Sequence, residues 1–128
     1  MRLEYFADGS ADCPLIRLYD FDSKQADVFR NYVLALADGS RDTVAVHELP
    51  LVESIEACRL VFKVSSGDRG VVKIGPQNRF DCLLTPASWR QVADLMEPFC
   101  EAGDRRGYFQ WLDETSNISL LFSPDGHW

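Results

Sequence analysis

His47 is the one histidine that falls inside a regularly patterned segment, and an imidazole there could act as a general base, a proton shuttle or a metal ligand. A general base needs an orienting partner within hydrogen-bond reach. If Thr43 to Leu49 is a strand, the neighbouring Glu48 projects from the opposite face, and no Gly-x-Ser-x-Gly motif supplies a nucleophile. The expected role of His47 is therefore that of a structural or half-exposed strand residue. The alternative is a small enzyme or ligand-binding domain whose site assembles around His47 from residues distant in sequence. His127 lies near the end of the sequence, where mobility is expected rather than catalysis.

The four cysteines, Cys13, Cys58, Cys82 and Cys100, lack the close pairing of zinc ribbons and redox motifs. Free thiols, acting mainly as small hydrophobes, are expected, with no metal and no other cofactor. Asp20 and Asp22 begin like a calcium loop, but Lys24 occupies the next ligand position and the required glycine is missing at position 25 and its neighbours. The run Asp8 to Cys13 also lacks the sixth-position glycine. Neither a Gly-x-x-x-x-Gly-Lys phosphate loop nor a Gly-x-Gly-x-x-Gly fingerprint occurs. Arg106-Gly107-Tyr108-Phe109-Gln110-Trp111 opens like an RNA-recognition strand, but Phe109 replaces the small residue and Gln110 the next aromatic. Core packing of Phe109 and Trp111 is the expectation there. With no catalytic constellation, the sequence leans away from an enzyme.

Two helices and about seven or eight strands must position these groups. Val28, Phe29, Tyr32, Val33 and Leu36 share a face between Ser23 and Ala37, with Asp22 or Ser23 as N-cap and Gly39 as stop. Thr85-Pro86 opens a second helix with a stripe of Trp89, Val92, Ala93, Met96 and Phe99, which Pro98 should kink or end near Met96. Leu3 to Phe6, Leu15 to Phe21, Thr43 to Leu49 and Cys58 to Ser65 read as strands, whereas Leu51 to Ala57 reads as strand or helical turn. Short links to Val71–Ile74 and Phe80–Leu84 suggest a central meander, and Tyr108 to Leu112 with Ile118 to Phe122 a C-terminal hairpin. The pattern predicts one α+β domain over residues 1–128 with a largely antiparallel sheet.

The net charge of −7 opposes binding to phosphate backbones, so neither nucleic acid nor an anionic membrane is an expected partner. The longest apolar run, Tyr32 to Ala37, is far too short to cross a bilayer, and the acidic opening residues do not resemble a secretory signal. A cytoplasmic protein is expected. What remains is a non-catalytic domain that binds another protein or a second copy of itself. The closing hairpin is the expected contact: if Phe109 and Trp111 face the core, Tyr108, Gln110 and Leu112 point outward with Leu121, on a face poor in charge. Tyr108, Gln110 and Leu121 are thus the candidate partner-binding residues. The competing arrangement has the second helix, or the segment ending in Trp128, cover that face.

Overall fold

Nine strands and two helices follow one another in a computed structural model that describes residues 1–128. They are β1 (Arg2–Phe6), β2 (Leu15–Tyr19), α1 (Ser23–Asp38), β3 (Thr43–Ala45), β4 (Glu53–Ser54), β5 (Arg59–Val64), β6 (Gly70–Lys73), β7 (Arg79–Leu84), α2 (Pro86–Met96), β8 (Gln110–Asp113) and β9 (Ser119–Ser123). The strands form two sheets, β4-β1-β2-β9-β8 (sheet 1) and β3-β5-β7-β6 (sheet 2). The α+β class is as expected, and both sheets are mixed: β1/β4, β2/β9 and β5/β7 run parallel, the other pairs antiparallel.

The central meander needs correction, because β7 inserts between β5 and β6. A five-residue link, Ser65 to Arg69, does not force its flanking strands together as a two-residue turn does. β7 brings Phe80, Cys82 and Leu84 to the core, which suits a central strand, whereas β6 ends on the exposed Lys73 and suits an edge. Gly70 opens β6 at φ +73, and a Cβ there would lie 2.8 Å from Asp113 Oδ2 and 2.9 Å from the Ser116 backbone nitrogen. Only glycine lets this end of sheet 2 meet the β8–β9 turn so closely. Ser116 Oγ completes the junction by donating to Val71 O at 2.6 Å.

Asp22 caps α1 in a reciprocal box with Gln25, and Gly39 ends the helix in the left-handed region. Its buried stripe is Ala26, Phe29, Val33 and Leu36; Val28 falls outside it and is 47% exposed, contrary to the expected stripe. One helical step of about 100° puts Val28 beyond the edge of the face that Phe29 centres. α2 starts at Thr85-Pro86, buries Trp89, Val92, Ala93 and Met96, and gives way at Met96 to a 3-10 turn over Glu97–Cys100. Phe29 joins the layers, its ring centroid 6.0 Å from Phe62 of sheet 2 and 6.2 Å from Phe122 of sheet 1. Trp89 packs 4.7 Å from Phe62 and donates its indole N–H to Lys63 O at 3.1 Å. One continuous core results. No helix is long and apolar enough to cross a membrane.

Candidate functional site

The structure separates the three residues expected to bind a partner. Tyr108 precedes β8 and is 61% exposed, Gln110 is half-buried at the start of β8, and Leu121 is 0% exposed. Cross-strand pairing shows why. Trp111 sits opposite Leu121 and Gln110 opposite Phe122, so Trp111 and Leu121 share the outer face while Gln110 stands on the core side at the sheet's margin. Leu112 is buried in the core, and the register slips between Trp111 and Asp113. The facing expected for Gln110, Trp111 and Leu112 is therefore reversed, whereas Leu121 stands on the outer face as expected but is covered there. Phe109, expected in the core, is 40% exposed, with its ring 6.2 Å from Trp111 and 6.3 Å from His127.

Leu121 lies between Arg17 and Trp111 in the sheet, and the chain returns over this outer face beside it. Arg17, paired in register with Leu121, donates to Gly126 O at 2.8 Å and forms an ion pair with Glu4 at 3.2 Å. Its guanidinium lies 3.7 Å from the Tyr19 ring centroid, 4.8 Å from Phe6 and 5.6 Å from Trp128. Such cation–π contacts gain strength when shielded from water, and the Arg17 side chain is only 16% exposed. Tyr19 donates its hydroxyl to Glu4 at 2.8 Å; burial and the Glu4 carboxylate raise its pKa. Gly126 has φ +82, and a Cβ there would meet Arg17 Nη1 at 2.7 Å, so glycine permits the close approach. What is left open at this end is a shoulder of Tyr108, Phe109 and half-buried Trp111.

His47 is not in a strand, since β3 ends at Ala45 and residues 46–48 form a 3-10 turn. Its ring takes over where the backbone ladder stops: Leu60 N–H donates to Nδ1 at 3.2 Å, and Leu60 O lies 3.2 Å from the same nitrogen. The turn also brings Glu48 to the same side, 3.8 Å from Nε2, which corrects the expected separation. His47 lines a recess of about 360 Å³ on the outer face of sheet 2 with Arg59, Lys63, Arg79 and Asp81. Lys63 and Asp81 pair at 2.8 Å. No Ser, Thr or Cys lines the recess, and its polar lining consists of the His47 imidazole, the Glu48 and Asp81 carboxylates and the side chains of Arg59, Lys63 and Arg79. The repeated opening of β5 and β7 on arginine was the available signal for this gathering, but their parallel register was not readable.

A larger recess, about 490 Å³, lies beside the start of α1 with Asp22, Asp104, Arg106 and Asp125 on its walls. These carboxylates are committed locally. Asp22 caps α1, and Asp125 accepts the Gly107 and His127 N–H groups, which lower its pKa. Asp104 accepts from Arg106 and is held at about 2 by that bonding. All four cysteines are free thiols; burial pushes Cys58 up to about 12 and Cys82 well above the usual thiol range, which opposes thiolate chemistry there. No three His, Cys, Asp or Glu side chains converge as a metal-ligand set. Set against family models, curated proteins and solved structures, the chain matches none of them.

Proposed function

We propose that the chain is a non-catalytic protein-interaction domain that associates through the shoulder around Tyr108, with a second copy as its partner. The observation that carries this reading is the exposure of Tyr108 and Phe109, the only exposed aromatic side chains in the molecule. Tyr, Trp and Arg dominate the energetics of protein interfaces, and Tyr108 and Trp111 lie close in sequence to Arg106. Two further features favour a like partner. β8 pairs with β9 alone, so its other edge has no strand partner, and an antiparallel edge contact is self-complementary about a two-fold axis. Arg105 pairs with Glu101 and Arg106 with Asp104, so much of the charge at the shoulder is matched locally despite the net −7. Gln110 forms the polar margin of this contact, whereas Leu121 supports it from beneath. The four free thiols favour a reducing, cytoplasmic setting.

Sedimentation velocity tests the reading. The wild type should sediment as a dimer that dissociates on dilution, and the Tyr108→Ser/Phe109→Ser variant as a folded monomer. A wild type that stays monomeric at high concentration would contradict self-association.

A further inference from the structure

Sheet 2 carries an arrangement that the shoulder does not use. Arg59 and Arg79 stand in register on the adjacent parallel strands β5 and β7, both are exposed, and both line the recess beside His47. Like charges side by side on a sheet repel. A chain with 20 acidic and 13 basic residues has carboxylates to spare for them, yet neither guanidinium forms an ion pair within the molecule. The carboxylate nearest in register is Asp81, opposite Val61, and Lys63 Nζ already holds it at 2.8 Å. His47 stands beside them, its Nδ1 engaged with the backbone of Leu60 and its Nε2 3.8 Å from Glu48, too long for a hydrogen bond.

We propose that this recess binds a phosphoryl group, with Arg59 and Arg79 as its charged partners and the His47 Nε2 edge beside them. The charge decides between anions: a phosphate monoester carries about −1.5 to −2 at neutral pH and matches two guanidiniums, whereas a carboxylate balances one. Half-exposed Val61 and exposed Ile74 line the same recess and offer apolar contact to an organic group bearing the phosphate. This site shares no residue with the shoulder, so either proposal can fail alone.

Titration of the ¹⁵N-labelled protein at constant ionic strength with phenyl phosphate, inorganic phosphate or benzoate tests it. Saturable shifts are expected at the amides of residues 59–61 and 79–81 with both phosphates. Arg59→Gln and Arg79→Gln should each weaken binding about tenfold, the loss of one charge-assisted contact, while Arg90→Gln, on the exposed side of α2, should leave it unchanged. Tighter binding of phenyl phosphate assigns the site to an organic phosphate; equal binding assigns it to the free ion. Shifts that do not saturate, that persist in both arginine variants, or that benzoate reproduces at equal affinity overturn the proposal.

Discussion

Arg17 and Arg59 both stand on outer faces of sheets, and their surroundings differ completely. Arg17 is enclosed by Phe6, Tyr19 and Trp128, paired with Glu4 and bonded to Gly126 O. Arg59 is exposed beside Arg79 on a face that nothing covers. Both faces arise from the same alternation of side chains, yet residues 126–128 return over one and no segment returns over the other. Alternation in a regular strand sets which residues share a face; it does not settle whether another part of the chain then buries them.

Substitutions can sharpen that contrast. The largest loss should come from the core side on which both faces depend: Trp89→Ala removes a fully buried ring and its bond to Lys63 O, and should cost about 3–5 kcal/mol in urea denaturation. Leu121→Ala, on the covered outer face, should behave as a core substitution and cost about 2–5 kcal/mol. Val61→Thr, on the open face, should stay within about 0.5 kcal/mol, as surface changes do. Equal losses at Leu121 and Val61 would erase the distinction between the faces. Trp128→Ala should fall between them, at about 0.5–2 kcal/mol, because it removes one ring from around Arg17.

The smallest effect concerns pH. Asp68, in the link between β5 and β6, accepts from Thr85 N–H at 2.8 Å and Ser88 Oγ at 2.7 Å, and these bonds lower its pKa. A carboxyl whose folded pKa is lowered adds stability that is fully present above its unfolded value of 3.8 and is lost as pH falls through the folded value. Asp68→Asn should therefore flatten the acid limb of the stability profile below that pH and leave its slope near neutrality unchanged. An unaltered acid limb would show that Asp68 does not couple the link to α2.

The helices were legible because their signals are local: Thr85-Pro86 and Asp22 with Gln25 act within one turn, and the Trp89 stripe repeats within one element. Most strands were legible for the same reason. Their order was not, since the parallel pairing of β5 with β7 and of β2 with β9 joins residues far apart in sequence. Of the candidate site, Tyr108 could be read as outward, but Leu121 could not be read as covered: it lies beside Arg17, which meets Gly126, 109 residues later. The face of Trp111 was misread because the bulge before Asp113 and the pairing with Leu121 set it, and neither has a composition signal. His47 was misread as a strand residue because Val44-Ala45-Val46 continues the apolar pattern, while its bond to Leu60 ends β3.

A dilution series of ¹⁵N correlation spectra, from millimolar to micromolar protein, tests most directly that the molecule associates through the shoulder and not through the open face of sheet 2. Amides of residues 107–111 should shift with concentration, while those of Arg59, Val61, Arg79 and Asp81 hold still. Concentration-independent spectra, or shifts confined to the sheet 2 residues, would contradict the proposed interface.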